Sequence, residues 1–367
     1  MSVRNVSLTD RSSFIVSSLL LRALSVPYGW VTQCRNRLYD RGWFSPRRLP
    51  CRVVSIGNLT VGGTGKTPVT IAVTDALLAA GHRVAVLSRG YRRRSRAPRV
   101  LVSDGHKLLV GPDEAGDEPF LIAQRCPRAV VAVGADRYQL GRWVLAQCPL
   151  DYVVLDDGFQ HRALYRDVDL LLVDATDERG LHALVPAGRL REPLSSAARA
   201  TAVLVTRVDA SVDAQPIVSM IQQAIGSRVQ PILIRFTPLD FVDVSDGASS
   251  VPMSKVAGQR VVIFSGIGNA GAFQTSVLRQ GLIVVDEVIF PDHHAYTMSD
   301  IDRVRARAEG VGASVLVTTE KDAVKLQALP SLPMPVWAVR LETQILEGED
   351  RLKHLIIGQG PGTTADG

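Results

Sequence analysis

The chain has 367 residues, and with 46% hydrophobic and 21% charged residues it can bury a sizeable core and is not a disordered polymer. Its net charge of +6 lies within residues 1–50, whereas residues 51–367 carry equal numbers of acidic and basic side chains. This distribution disfavours a protein that coats nucleic acid, and it favours a basic N-terminal segment that meets an anionic surface.

The first predicted element is an apolar helix within residues 1–34. From residue 12 onward the only charge in this segment is Arg22, and Pro27 and Gly29 interrupt the pattern, which predicts a helix from about Ser12 to Val26. Such a helix is roughly 22 Å long, short of the ~30 Å hydrocarbon core of a bilayer. A helix this apolar either packs in a protein core or lies in a bilayer interface. Basic and aromatic residues follow it, so we predict an amphipathic, membrane-associated segment.

Strand-like apolar stretches, each followed by a helix-like stretch, recur through the next part of the chain. They are Arg52–Ile56, Arg83–Leu87, Ala129–Val133, Tyr152–Leu155, Leu170–Val173 and Ala202–Val205. A second set comprises Val261–Phe264, Ile283–Val288 and Ser314–Val317. This alternation predicts a parallel β-sheet that is covered by helices on both faces.

A glycine-rich loop between the first strand and the first helix of this series is the strongest local motif. It reads Ser55-Ile-Gly-Asn-Leu-Thr-Val-Gly-Gly-Thr-Gly-Lys-Thr67 and matches the phosphate-binding pattern GxxxxGK[ST] except at Thr60. Loop amides and a helix N-terminus suit phosphate, Lys66 adds a positive charge, and the Thr67 hydroxyl is a natural Mg²⁺ ligand. We predict that a nucleotide is bound by Thr60, Gly62, Gly63, Thr64, Gly65, Lys66 and Thr67.

Two charged segments follow this loop. Six arginines lie between Arg89 and Arg99, and they form either a solvated basic loop or a grip on an anionic substrate. The acidic Gly116-Asp-Glu-Pro119, taken alone, is typical of a solvated turn.

A phosphate-binding loop requires a second strand that ends in an acid able to hold Mg²⁺. The stretch Tyr152-Val-Val-Leu-Asp-Asp157 ends in the paired carboxylates of Asp156 and Asp157, and we predict these as metal ligands. Asp174 ends the next strand and is better explained as a strand end or turn.

Two other patterns compete for a functional interpretation. Thr206-Arg-Val-Asp209 is similar to the [NT]KxD motif that binds guanine, although Arg207 replaces the usual lysine. His293 and His294 point in opposite directions in an extended segment, so they make a poor zinc chelate, whereas one of them suits an acid–base role.

The predicted fold class is α/β: a P-loop NTPase-like parallel sheet flanked by helices, with a smaller α/β second domain and the N-terminal membrane-associated helix. The predicted divisions are 1–34, the N-terminal segment; 35–204, the P-loop core; 205–328, the smaller domain; 329–357, a return strand; and 358–367, a disordered tail. The four cysteines form no CxxC pair, which fits a reduced cytoplasmic setting.

Taken together, the motifs resemble those of the tetraacyldisaccharide 4′-kinases of lipid A biosynthesis. The matching segments are Gly57–Pro68, Ser88–Tyr91, Gly116–Pro119, Asp156–Arg162, Pro186–Pro193, Phe290–His294 and Thr318–Asp322. They follow the order found in that family, in which Thr60 is the ordinary residue of the loop.

The resemblance implies transfer of the ATP γ-phosphate to the 4′-hydroxyl of tetraacyldisaccharide 1-phosphate, which yields lipid IVA. It implies a location on the cytoplasmic face of the Gram-negative inner membrane, with inner-membrane lipids and this anionic glycolipid as partners and no nucleic acid. It further implies that Asp117 is the base, oriented by His293, and that Glu118 is an additional metal contact. Arg162 and Arg191 are candidate substrate contacts.

Two alternatives remain open from the sequence. A soluble P-loop GTPase or ATPase switch would need neither a lipid acceptor nor the N-terminal helix. A non-catalytic membrane adaptor with a nucleotide-binding fold would tolerate Asp117→Ala without loss of function. The kinase explains the N-terminal segment, the phosphate loop and the later acids together.

Overall fold

A computed structural model of the protein describes residues 8–209, 212–227, 229–245, 249–327, 329 and 332–358, with side chains in the first helix from residue 20 onward. The disordered tail predicted for 358–367 lies outside the described residues except for its first residue.

One sheet runs through the described part of the molecule. Its strands are β1 (Arg52–Asn58), β2 (Val84–Ser88), β3 (Arg99–Asp104), β4 (Val130–Gly134), β5 (Tyr152–Asp156), β6 (Val168–Asp174), β7 (Ala202–Thr206), β8 (Ile232–Asp243), β9 (Ser250–Val251), β10 (Arg260–Ser265), β11 (Ile283–Ile289), β12 (Val315–Thr319) and β13 (Val336–Glu347). Their order is β11-β10-β12-β13-β8-β7-β6-β1-β5-β2-β4-β3, and β9 pairs with β8. All pairings are parallel except β3–β4, β8–β13 and β8–β9. The predicted α/β fold with a mainly parallel sheet is therefore confirmed.

Helices occupy most of the connections between the strands. They are α1 (Leu8–Asp40), α2 (Lys66–Ala79), α3 (Pro112–Ala115), α4 (Asp117–Arg125), α5 (Arg137–Leu145), α6 (Gln215–Ile225), α7 (Met253–Val256), α8 (Ala270–Leu278), α9 (Met298–Gly310), α10 (Glu320–Leu326) and α11 (Glu349–Ile357). Short 3₁₀-helices span Glu178–Leu181 and Leu194–Arg199.

The N-terminal helix is longer than the sequence predicts, and the predicted end at Val26 is wrong. The helix continues through Pro27, although a proline removes one backbone donor and its ring crowds the preceding turn, and hydrogen bonds on both sides of Pro27 hold the helix against residues 184–192. The Ser25 hydroxyl donates to the Leu184 carbonyl at 3.0 Å, and the Tyr28 hydroxyl donates to the Arg191 carbonyl at 2.9 Å. Among the described residues, no helix is long and apolar enough to cross a bilayer.

Gly29 allows α1 to approach the 184–192 segment closely. A Cβ atom at this position would lie 2.8 Å from the end of the Leu184 side chain, so a larger residue would force that side chain or the helix to move. The glycine that the sequence suggests as a helix breaker is therefore a packing contact.

The centre of the sheet positions the candidate site. β1 lies between β5 and β6, and almost every residue of these three strands is buried. Because the carboxyl ends of parallel strands meet at one edge, Asn58, Ser88, Asp156 and Asp174 all end strands on the same side of the sheet.

The sheet is continuous across the predicted domain divisions. β8 and β13 form a long antiparallel pair between the strands around β1 and the group β10, β11 and β12. Ile217 and Ile221 of α6 share a hydrophobic cluster with β6 and β7, so α6 packs with the P-loop core although it lies beyond residue 204. The divisions themselves stay predictions.

Candidate active site

The glycine-rich loop folds as a phosphate-binding loop at the carboxyl end of β1. Gly62 and Gly65 have φ values of 111° and 83°, which are strained for residues with a side chain. α2 begins at Lys66 without a side-chain cap and without an acidic residue in its first turn. Its N-terminal amides and helix dipole are thus available to an anion.

Residues 184–192 form backbone hydrogen bonds with residues 59–61 at the start of this loop. The Val61 amide donates to the Arg189 carbonyl at 2.7 Å, and the Arg191 amide donates to the Leu59 carbonyl at 2.6 Å. Thr60 is buried and forms a β-bridge with Leu190. Its φ is not positive, so the backbone does not require the glycine of the general pattern here.

Asp156 is buried at the end of β5 and is crowded by negative charge. Ser88 donates a hydrogen bond to one of its oxygens at 2.9 Å, and Thr70 donates to the other at 3.4 Å. Burial, together with the neighbouring carboxylates of Glu118 and Asp157, raises the pKa of Asp156 to about 7.

Asp157 has the opposite electrostatic environment. Its left-handed backbone, with φ of 53°, places its carboxylate against the Arg191 guanidinium at 3.0 and 3.1 Å and 3.7 Å from the Lys66 ammonium. Burial alone would raise the pKa of Asp157, but Lys66 and Arg191 lower it to about 2. Lys66 and Arg191 also both donate to the Asn58 side chain.

The carboxylate and hydroxyl oxygens at this edge of the sheet are suitable ligands for Mg²⁺. Within the ranges that the structure describes, no three acidic, histidine or cysteine side chains converge closely enough to hold a metal ion by themselves. Mg²⁺ does not need such a set, because it usually takes one or two carboxylates together with waters and substrate phosphates. Asp156, Asp157, Glu118 and Thr67 line one cleft, and a divalent cation would relieve the crowding that raises the pKa of Asp156.

Asp117 and His293 come together from opposite parts of the chain. Asp117 begins α4, and His293 follows β11 with a left-handed φ of 59° and a backbone hydrogen bond to Gly266. His293 Nδ1 lies 3.5 Å from an Asp117 carboxylate oxygen. Burial would raise the pKa of Asp117, but His293 and two nearby lysines lower it. His294 instead lies 3.0 Å from Asp300.

Two lysines of α10 complete this cluster, and sequence reasoning did not assign them a role. The Lys321 ammonium donates to Glu118 at 2.9 Å and lies 3.1 Å from His293 Nε2. The Lys325 ammonium donates to Asp322 at 2.8 Å and lies 3.9 Å from Asp117. The signal was available, because Lys321 falls in the Thr318–Asp322 motif.

A single cleft of about 810 Å³ joins the phosphate-binding loop to the segment that carries His293. Most of the predicted site residues line it: Gly62, Gly63, Thr64, Gly65, Lys66, Thr67, Glu118, Asp156, Asp157, Arg191 and His293. Thr60 and Asp117 lie outside this lining, and Asp117 contacts His293, which lies within it. The arginines at the start of the basic run, Arg89 and Arg92, also line the cleft.

Arg162 is placed away from the cleft. Its guanidinium pairs with Asp40 at 2.7 Å and donates to the Asn36 carbonyl at 3.2 Å, both on α1. In this structure Arg162 therefore ties the N-terminal helix to the core and does not share a site with Arg191.

The segment similar to a guanine-binding motif is held by local ion pairs. Arg207 pairs with Asp174, and Asp209 lies 3.0 Å from the Arg279 guanidinium. Asp174 also accepts hydrogen bonds from Thr176, as expected of a strand end. The lysine stem that would pack on a guanine base is absent from this motif.

Comparisons with known proteins cover nearly the whole chain. The family model described as tetraacyldisaccharide-1-P 4′-kinase matches residues 17–359. A tetraacyldisaccharide 4′-kinase of Syntrophus aciditrophicus is 37% identical over 355 residues, with 95% of this chain and 94% of the relative covered. That of an Anaeromyxobacter species is 42% identical over 320 residues, with 87% and 85% covered. The crystal structure of LpxK from Aquifex aeolicus in complex with ATP superposes with a TM-score of 0.73 at 33% identity, with 93% and 98% covered.

Proposed function

The chain belongs to the tetraacyldisaccharide-1-P 4′-kinase family, and from that membership we propose how its cleft transfers phosphate from ATP to a glycolipid. The protein is an ATP-dependent kinase that phosphorylates the 4′-hydroxyl of tetraacyldisaccharide 1-phosphate, which gives lipid IVA. The observation that carries the proposed mechanism is the cleft itself, which joins the phosphate-binding loop and Asp156 to His293, with Asp117 in contact with His293 outside the lining.

The phosphate loop and Lys66 hold the ATP phosphates. In the structure the Lys66 ammonium contacts Asn58 and Asp157. We propose that the ATP phosphates replace these two partners when the nucleotide binds. Thr67 and Asp156 would hold Mg²⁺, with Asp157 and Glu118 beside them. When bound, Mg²⁺ supplies positive charge to the phosphate oxygens on which negative charge develops.

Asp117 receives the proton of the attacking sugar hydroxyl. Asp117 is ionised at neutral pH, so its carboxylate can accept a proton, while His293 and the two lysines that lower its pKa hold it in place. Hydrogen-bond distances in active sites without substrate are often long and shorten in the reactive complex, which fits the 3.5 Å between Asp117 and His293.

The exposed face of α1 suits a bilayer interface. Trp30 is 74% exposed and Val31 is 70% exposed, and Leu20 and Leu24 are also exposed on this helix. Arginines cluster further along α1 and just after it, at residues 35, 37, 41, 47 and 48. We propose that α1 associates with the cytoplasmic face of the Gram-negative inner membrane through these apolar side chains, with the arginines at the headgroups.

A phosphotransfer assay in detergent tests this mechanism. γ-Labelled ATP, Mg²⁺ and tetraacyldisaccharide 1-phosphate are supplied to the wild type, to Asp117→Ala and to the exposed control Asp302→Ala. We expect label in the lipid with the wild type and the control, and a loss of roughly 10²- to 10⁴-fold in Asp117→Ala with ATP binding retained. Transfer that survives in Asp117→Ala would remove Asp117 as the base. No transfer by a folded, ATP-binding wild type would overturn the kinase assignment.

A further inference from the structure

The ring of His293 is held between three polar partners. Asp117 lies 3.5 Å from Nδ1, while on the other side of the ring Lys321 lies 3.1 Å and Asp292 lies 3.9 Å from Nε2. The Tyr91 ring packs edge-on against the imidazole with 5.7 Å between centroids. A neutral imidazole carries its proton on only one nitrogen, so these partners decide which nitrogen that is.

An ammonium group has three hydrogen-bond donors and no acceptor. Where Lys321 contacts His293 Nε2, that nitrogen must therefore accept, and the ring proton is left on Nδ1, where it points at Asp117. We propose that Lys321 is a positioning residue that fixes the Nδ1–H tautomer of His293 and so aims its one donor at the Asp117 carboxylate. This inference rests on the proposed function, in which Asp117 is the base.

The Asp292 carboxylate favours the opposite tautomer of His293, and the Lys321 ammonium counteracts it. This carboxylate lies 3.9 Å from Nε2 and would favour a proton on that nitrogen. The two tautomers thus have competing partners, Asp117 for Nδ1–H and Asp292 for Nε2–H. Without the ammonium of Lys321, nothing holds Nε2 as an acceptor, and the Asp292 carboxylate competes with the nearer Asp117 carboxylate for the ring proton.

Contacts between α10 and α4, the helix that carries Asp117 and Glu118, hold Lys321 in place. Glu320, the first residue of α10 and the neighbour of Lys321, accepts hydrogen bonds at 2.8 Å on both carboxylate oxygens from Arg125, the last residue of α4. Lys321 itself bridges Glu118 on α4 and His293 on the loop after β11. The position of this ammonium is therefore set by contacts on both sides of the cleft.

Nitrogen-15 spectra of histidine-labelled protein test the proposal directly. Long-range proton–nitrogen correlations distinguish the two neutral tautomers, and the signals of His293 are assigned by their loss in His293→Gln. We expect the Nδ1–H tautomer in the wild type and in Lys321→Arg, which keeps a donor. We expect a mixture of the two tautomers in Lys321→Met, because the Asp117 and Asp292 carboxylates then compete for the ring proton. An Nε2–H tautomer in the wild type would overturn the proposal without recourse to any variant.

Kinetics provide the second readout. In Lys321→Met we expect kcat to fall by roughly 10- to 100-fold, a part of what a positioned acid–base group contributes, with a smaller change in the KM for ATP. Lys321→Arg should recover much of this loss, and the exposed control Lys353→Met should match the wild type. An unchanged tautomer and kcat in folded Lys321→Met, with Asp117→Ala inactive, would overturn the positioning role alone. An active Asp117→Ala would instead overturn the proposed function.

Discussion

Replacing Asp156 with asparagine should stabilise the nucleotide-free protein while it abolishes phosphotransfer. The carboxyl of Asp156 is fully buried beside two other carboxylates, and its pKa is raised from 3.8 to about 7. At about 1.4 kcal/mol per pKa unit, ionising this group in the folded protein costs roughly 4 kcal/mol. An asparagine carries no charge, and losing one hydroxyl hydrogen bond costs about 1 kcal/mol. The net gain above pH 7 is therefore about 3 kcal/mol.

The pH dependence of this gain follows from the direction of the shift. A carboxyl with a raised pKa binds more protons in the folded than in the unfolded protein, so wild-type stability falls as pH rises from about 4 to about 7. The free energy of unfolding of Asp156→Asn does not decline in this way. The difference in this free energy between the variant and the wild type should therefore shrink from about 3 kcal/mol near pH 8 to under about 1 kcal/mol near pH 5.

Urea unfolding of wild type and Asp156→Asn at these two pH values measures the effect, with phosphotransfer measured on the same preparations. Equal or lower stability of the variant near pH 8 would refute the argument, because it would mean that the Asp156 carboxylate is not strained by its neighbours. Full activity of the variant would refute its assignment as a metal ligand.

Three further predictions concern the ion pair between α4 and α10, the phosphate loop and the N-terminal helix. Arg125→Met removes the cation that faces the mostly buried Glu320 carboxylate and should lower the free energy of unfolding by about 3 kcal/mol in urea titrations, with part of the loss recovered when Glu320→Gln is added. Gly65→Ala should weaken ATP binding and lower stability by at least about 1 kcal/mol, since its φ is 83°, whereas Gly63→Ala meets no neighbouring atom and should unfold like the wild type. Trp30→Glu should reduce co-sedimentation with anionic vesicles while thermal unfolding stays unchanged, and undiminished binding would argue against α1 as the membrane contact.

Much of the fold could be predicted because its signals are local. The strand-like stretches and the GKT sequence mark a buried parallel sheet and a phosphate loop without any knowledge of tertiary contacts. The continuation of α1 past Pro27 could not be predicted in this way. It depends on hydrogen bonds from Ser25 and Tyr28 to a segment about 160 residues away, which no local pattern reveals.

The residues of the candidate site show the same difference between local sequence signals and tertiary contacts. Residues with a strong local signal, such as Lys66 and Asp156, lie in the cleft as expected. Arg162 has a similar local signal, yet its partners are on α1. This could not be predicted, because the sequence does not show which cation pairs with which anion in the fold. Lys321 lies in the Thr318–Asp322 motif, but its contacts with Glu118 and His293, on which the proposed role rests, are formed only in the folded chain.

The 184–192 segment connects α1 to the phosphate loop through hydrogen bonds to both. One of its ends is bonded to α1 through Ser25, and the same short segment is bonded to the phosphate loop at Val61. If α1 rests in the bilayer as proposed, the height of the γ-phosphate above the headgroups is a constant of the fold. The kinase would then select its acceptor by depth as well as by chemistry, because only a sugar hydroxyl presented at that height can reach the phosphate.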